Sequence, residues 1–128
     1  MVKRIIVPAN MADLYRDWKM APGSEAGGFV FLTGFNGTDL DGATSPDAAT
    51  QINTAFDQVF SVLHEGGMDA RNVVEVTSYH VGLKKHLHVF KAIWAERLSD
   101  PYPAWTAIEV AGFASDGVIV ELRVIAHR

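Results

Sequence analysis

The sequence predicts an α+β fold in which a single mixed β-sheet carries two helices packed on one face. Three observations favour it: five segments have the composition of strands, two have the periodicity of amphipathic helices, and the predicted order is β, β, α, β, α, β, β. The chain has 128 residues, 48% of them hydrophobic, which is enough to bury a core within one domain spanning residues 1–128.

The first two strands are predicted in the N-terminal quarter of the chain. RIIVP reads as a short strand closed by Pro8, and FVFLTG, residues 29–34, reads as a buried strand because it is an unbroken apolar run bounded by glycine. Proline and glycine mark turns, so YRDWKMAPGSEAGG and NGTDLDGATSPDA are predicted to be irregular.

Two helices follow. The first is predicted to begin with Ser45 as N-cap, Pro46 at the first helical position and Asp47 at the positive end of the helix dipole. Its apolar residues recur at helical spacing until Gly66 or Gly67 provides a left-handed cap. The second helix is predicted over residues 84–98, with an apolar stripe of Leu87, Phe90, Ile93, Trp94 and Leu98.

The remaining strands are predicted over residues 72–82, 104–110 and 117–128. In the last strand, one face is aliphatic and consists of Val118, Val120, Leu122 and Val124. The other face mixes charge with aliphatic residues and consists of Ile119, Glu121, Arg123 and Ile125. A mixed face of this kind predicts contact with partner subunits, and hence a homo-oligomer.

Composition excludes several classes of function. The formal net charge of −4 makes a nucleic-acid partner unlikely on electrostatic grounds, because binding phosphates needs clustered Lys and Arg. The absence of cysteine excludes disulfides and thiolate chemistry. No segment has the apolar length of a signal peptide or membrane span, so we expect a cytoplasmic protein without a membrane partner.

Motifs for nucleophilic or phosphate chemistry are missing, since there is neither a Gly-x-Ser-x-Gly elbow nor a glycine-rich loop that opens a helix. His86 and His88 are two positions apart on a predicted helix and point in different directions, so we predict no metal site there. The cluster Lys84, Lys85 and His86 is interpreted as a solvated helix start.

Glu121 is the strongest catalytic candidate, because it interrupts an apolar strand and buried carboxylates are rarely left unpaired. It serves either as a structural ion-pair partner of Arg123 or as a cleft carboxylate with a raised pKa, acting as general acid or base. His80 is similarly either a hydrogen-bonded core imidazole or a ligand-binding residue.

Several stretches, taken together and in order, resemble the reactive intermediate deaminase (Rid) family over nearly the whole chain. They are AGGFVFLTG, the Ser-Pro-Asp helix start, AFDQVFSVLHEGGMDARNVVEVTSYHV, PYPAWTAIEV and VIVELRVIAHR. The resemblance implies a chorismate-mutase-like fold in a trimeric, barrel-like assembly, with a small-molecule ligand in each cleft between subunits of the homotrimer. It also implies hydrolysis of enamines or imines, such as 2-aminoacrylate, to keto acids and ammonia without a cofactor.

The resemblance also assigns residues. Thr33 keeps the hydroxyl of the family's strand-end serine, beside Gly34, and Glu121 matches the cleft glutamate that positions water. The family arginine that grips a substrate carboxylate is replaced by Trp105, next to Thr106. An arginine makes two charge-assisted bonds to a carboxylate whereas indole has one neutral donor, so we expect an altered specificity.

Other positions also depart from the family. The expected early tyrosine is missing near Met20, although Tyr15 and Trp18 are close by, and Lys91 stands in place of an asparagine. The aromatic residues predict a pocket for an aromatic or less charged ligand, although Trp105 can equally be an interface packing residue. The candidates to replace the arginine's charge are Lys91, Arg123 and His80. Alternative functions are a non-enzymatic metabolite-binding protein and, less favoured, the ribonuclease or translation inhibitor described for some relatives.

Overall fold

The computed structural model describes residues 2–128, which form one seven-stranded sheet, two long helices and one short helix. The strands are β1 (Arg4–Ile6), β2 (Gly23–Ala26), β3 (Phe29–Leu32), β4 (Phe35–Asn36), β5 (Val73–His80), β6 (Ala104–Glu109) and β7 (Val120–His127). The helices are α1 (Ala12–Trp18), α2 (Ala48–Glu65) and α3 (Leu83–Arg97).

The sheet order is β1-β2-β3-β7-β5-β6, with β4 pairing separately with β7. Every pair is antiparallel except β5 and β6, which α3 connects as a parallel pair. The predicted mixed sheet is therefore confirmed. Strand β6 ends the sheet, so one of its sides has no partner strand among the described residues.

The core lies between the sheet and the two long helices. Helix α2 buries Ile52, Phe56, Val59 and Leu63, and α3 buries Phe90 and Ile93. They face the aliphatic side of β7, where Val120, Leu122 and Val124 are buried as the strand pattern predicted. Among the described residues no helix has the length and apolarity to cross a membrane.

The N-terminal segment is more regular than predicted. Residues 12–18 form α1, which buries none of its residues, and residues 23–26 form β2 between β1 and β3. An exposed short helix has no apolar stripe to reveal it. The sequence GSEA lacks strand-forming residues and becomes a strand because it pairs on both sides.

The predicted strand at residues 29–34 was also wrong in two respects. It ends at Leu32 rather than at Gly34, with β4 beginning separately at Phe35, and only alternate residues of β3 are buried. Phe29 and Phe31 are each 42% exposed on the face of the sheet that carries no helix. Within a single chain, therefore, only one side of this apolar strand is buried in the core.

Helix α2 begins two residues later than predicted, with Asp47 as its N-cap. The Asp47 carboxylate accepts the backbone N–H of Thr50 at 3.0 Å and its hydroxyl at 2.7 Å. Ser45 instead accepts the N–H of Asp47 at 3.0 Å and shapes the preceding turn. At the other end, Gly67 has φ of 75°, which confirms the left-handed cap.

The helix-free face of the sheet is rich in exposed apolar side chains. Five of them are 38–43% exposed: Ile5, Phe29, Phe31, Val74 and Ile108. A sheet face with this many exposed apolar side chains is typical of a protein–protein interface. It matches the mixed outer face of β7, on which the prediction of an oligomer rested.

Candidate functional site

Glu121 projects from β7 onto the helix-free face of the sheet. It lies in register with Tyr79 of β5 on one side and Asn36 of β4 on the other. Its side chain is partly buried, and within residues 2–128 no group hydrogen-bonds to the carboxylate, whose oxygens remain accessible to solvent. The alternative ion pair with Arg123 is not formed, because neither residue belongs to a salt bridge within residues 2–128.

Burial raises the pKa of the Glu121 carboxyl above its ordinary value. With no cation beside it to oppose that effect, the carboxyl holds its proton more readily than a solvated glutamate. A carboxyl with a raised pKa is a stronger base than a solvated carboxyl, which suits it better to proton exchange with a reacting group. The geometry therefore favours the acid–base interpretation of Glu121 over the structural one.

Gly34 borders the Glu121 carboxylate, and Thr33 immediately precedes Gly34 in the chain. A Cβ atom at Gly34 would lie only 2.7 Å from Glu121 Oε2, so the absence of a side chain makes room for the carboxylate. Thr33 is partly buried, and its backbone N–H donates to Pro22 O at 3.0 Å. Tyr79, across from Glu121, was missed by the sequence analysis because it looks like one more residue of an alternating strand.

Trp105 lies on the opposite face of the sheet, beneath α3. Its ring stacks on Trp94 at 4.8 Å between centroids and on Phe90 at 5.3 Å. Its Nε1–H donates to Ser78 Oγ at 2.8 Å. We call the partly buried pair Trp94 and Trp105 the aromatic shelf.

Behind the aromatic shelf runs a buried chain of polar side chains. Ser78 Oγ is 2.7 Å from His80 Nε2, and His80 Nδ1 is 3.1 Å from His86 Nε2. Ser78 and His80 are fully buried and His86 is 6% exposed. The prediction of a solvated helix start was therefore wrong for His86, because α3 turns this side chain toward the sheet.

The two histidines are held neutral. Burial, together with His86, lowers the pKa of His80 to about 4, although Glu109 opposes this. Burial also lowers the pKa of His86. The Glu109 carboxylate accepts the N–H groups of Gly82 at 2.9 Å and Leu83 at 2.7 Å, which caps the N-terminus of α3.

The outer edge of β6 exposes backbone groups beside the aromatic shelf. The backbone N–H of Val110 donates to His80 O at 2.8 Å, which shows which residues of β6 direct their backbone groups toward β5. In a parallel ladder the backbone groups of successive residues point to alternate sides. Those of Trp105 and Ala107 therefore point away from β5, toward the open edge.

Glu121 and Trp105 are too far apart in one chain to hold the same small ligand. Their strands flank β5, where Glu121 pairs with Tyr79 and Trp105 with Val76, three residues earlier. Strand geometry gives a Cα separation of about 14 Å, and the two side chains lie on opposite faces. Within one chain the candidate residues form two half-sites.

The other candidate residues are distributed around these half-sites. Tyr15 and Trp18 lie one turn apart on α1 and are 46% and 74% exposed. Thr106 is exposed on the helix-free face of β6, and Lys91 is exposed on α3, one turn before Trp94. Among residues 2–128, no group of three or more His, Asp or Glu side chains is placed to hold a metal ion.

A mixed sheet with two helices packed on one face matches the fold of a known family of small proteins. The sequence profile of the family described as Endoribonuclease L-PSP matches residues 19–128, and the chain belongs to this family. The structural neighbours are YjgF/Rid proteins, so the resemblance noted in the sequence is confirmed.

Particular relatives are similar over almost their entire length. The RutC family protein YjgH of Escherichia coli K12 is 32% identical over 129 residues, covering 99% of this chain and 97% of the relative. A solved structure of protein YjgH superimposes with a TM-score of 0.88 at 28% identity, covering 99% and 97% of the two chains. RidA from an Antarctic Psychrobacter shares the fold, with a TM-score of 0.81 at 21% identity, covering 100% and 99%.

Proposed function

We propose that this protein hydrolyses small imines or enamines to keto compounds and ammonia, in clefts between the subunits of a homotrimer and without a cofactor. Its substrates differ from 2-aminoacrylate. The observation that carries the proposal is the Glu121 carboxyl, which is partly buried, has no ionic partner among residues 2–128, has a raised pKa and packs directly against Gly34.

The chemistry needs one group that moves protons. As water attacks the imine carbon, the Glu121 carboxylate takes one proton of the water and delivers it to the imine nitrogen, which gives a neutral amino alcohol and restores the carboxylate. Glu121 then takes the hydroxyl proton and delivers it to the amine, so that the C–N bond breaks, ammonia leaves and the hydroxyl oxygen becomes the carbonyl oxygen. A carboxyl with a raised pKa suits both steps, because it gives and takes a proton with small energetic cost.

Association of subunits would bring the Glu121 half-site of one subunit next to the aromatic shelf of another. Glu121 and the aromatic shelf cannot meet within one chain, but the apolar helix-free face provides a surface on which copies can associate. We place Glu121, Thr33 and Gly34 of one subunit opposite Trp105, Trp94 and Lys91 of the next. The exposed aromatic residues of α1, Tyr15 and Trp18, are then available to cover a cleft.

The direct test is ammonia release from freshly generated imines, comparing 2-aminoacrylate with bulkier aromatic imines. We expect wild type to act on the aromatic compounds, and Trp105→Arg to gain activity on 2-aminoacrylate, because a guanidinium can pair with its carboxylate. If neither protein releases ammonia from any imine, the same fold is a non-enzymatic binding protein. Sedimentation should give three times the mass of the chain.

Gly34→Ala is expected to impair turnover while leaving the fold intact. The new Cβ would lie 2.7 Å from Glu121 Oε2 and would displace the carboxylate, and a misplacement of about 1 Å can cost about 100-fold in rate. Gly34 does not need a left-handed conformation, so alanine adds no backbone strain there. Gly112→Ala, at a position with open space, is the matched control for the same substitution. Equal kcat/KM in the two variants would contradict the placement of Glu121 in the site.

The ribonuclease described by the family name is a less favoured function. A net charge of −4 gives little attraction for phosphates. An RNA affinity that falls steeply with salt would reverse this preference.

A further inference from the structure

The aromatic shelf lacks a free side-chain hydrogen-bond donor at Trp105. Indole has a single donor, Nε1–H, and no acceptor. At Trp105 this donor is directed to Ser78 Oγ, 2.8 Å away and fully buried. The part of the Trp105 side chain that remains accessible is therefore carbon.

The bond from Trp105 is held by the buried polar chain behind it. Neutral imidazole has one donor and one acceptor nitrogen. If Ser78 donates to His80 and His80 donates to His86, the Ser78 oxygen keeps its lone pairs for the indole. Turning the indole N–H outward would remove a partner from a buried hydroxyl and unstack the ring from Trp94.

We propose that Ser78 is a positioning residue that sets ligand specificity, by fixing the indole N–H of Trp105 inward so that this side chain presents only hydrocarbon beside the open edge of β6. The site then selects ligands that are uncharged and apolar where they meet Trp105, such as imines of aryl ketones. A carboxylate at the same place would lose its hydration without gaining a donor from the indole. This inference rests on the proposed function for the position of the ligand.

Two ketones that differ only in this group provide the test. Phenylacetone carries a methyl where phenylpyruvate carries a carboxylate, and both resemble products of imine hydrolysis. We would measure both dissociation constants by calorimetry, which needs no turnover. We expect wild type to bind phenylacetone at least about tenfold more tightly, which is the effect of leaving one polar group unpaired.

Three variants separate positioning from a merely structural role. Ser78→Ala frees the indole donor to reorient, and we expect the preference for phenylacetone to fall by about tenfold, the worth of one charge-assisted bond. Ser78→Thr keeps the hydroxyl and should restore the wild-type preference. Trp105→Phe removes the indole donor together with part of the apolar surface, so we expect both ligands to bind more weakly while phenylacetone remains the tighter ligand.

The outcomes are distinct for the two proposals. If Ser78 has only a structural role, Ser78→Ala would weaken the binding of both ligands equally. The ratio of the two dissociation constants would then equal that of wild type, and this result would overturn the inference. So would tighter binding of phenylpyruvate by wild type. A wild type that prefers phenylacetone but releases no ammonia from any imine would overturn only the proposed enzymatic function.

Discussion

Glu121→Gln is expected to lower kcat/KM for imine hydrolysis by about 100- to 10,000-fold, the usual contribution of a general acid–base group. Glutamine keeps the size and polarity of the side chain but carries no exchangeable acid proton at any working pH. The partly buried position beside Gly34 therefore stays filled while the proton transfer is lost. Ammonia release under single-turnover conditions is the measurement, because it separates chemistry from product release.

Although Glu121→Gln is expected to lower activity, it is expected to raise the stability of the fold at higher pH. Because the folded state raises the pKa of Glu121, it holds this proton more tightly than the unfolded chain does. The stability due to this group is present at low pH and is lost as the pH rises through the folded pKa. Glutamine does not ionise, so Glu121→Gln should not suffer that loss. The unfolding midpoint of the variant, relative to that of wild type, should therefore rise between pH 4 and pH 8. Glu65→Gln, an exposed carboxylate at the end of α2, is the control and should change neither activity nor this difference.

Acidification from pH 6.5 to pH 4 is expected to remove on the order of 3 kcal/mol of folding stability through His80 alone. Its pKa is about 4 in the folded state against 6.5 for the ordinary side chain. The unfolded chain therefore binds a proton in this window that the folded chain excludes. The contribution is complete above pH 6.5 and is lost as the pH falls through the folded pKa.

Denaturant unfolding at fixed protein concentration, from pH 7.5 to pH 4, measures this loss. His80→Asn keeps a polar group without titrating, so its stability should depend less on pH than that of wild type, even if its stability at pH 7.5 is lower. His88→Asn, on the exposed side of α3, is the matched control. Identical pH slopes for His80→Asn and wild type would show that His80 does not exclude the proton. His86, whose pKa burial also lowers, adds to the loss in the same direction.

Local sequence patterns determined the long elements of this fold. The apolar residues of α2 recur at helical spacing and are buried in the core as predicted, and the alternation in β7 correctly separates its buried and outward faces. These elements face one large apolar core, so most residues on their buried sides are apolar. The short elements α1 and β2 were not predictable in this way, because α1 buries no residue and β2 depends on strands on both sides.

The candidate site shows the same division. An isolated glutamate in an apolar strand marked Glu121, and motif resemblance marked Thr33, Gly34 and Trp105. Sequence could not show that Trp105 and Glu121 lie on opposite faces, because that depends on the register of β6 and β7 across β5.

By itself, the sequence determined the family, the α+β class and a strong candidate for the acid–base group, since each depends on residue type and local periodicity. Only the tertiary structure decided that Trp105 gives its donor to Ser78, that His80 and His86 are buried together, and that Glu121 has no ionic partner among the described residues. These properties arise from contacts between residues distant along the chain. Pairing and burial set the charge, pKa and hydrogen-bonding capacity of a side chain, and residue type alone does not.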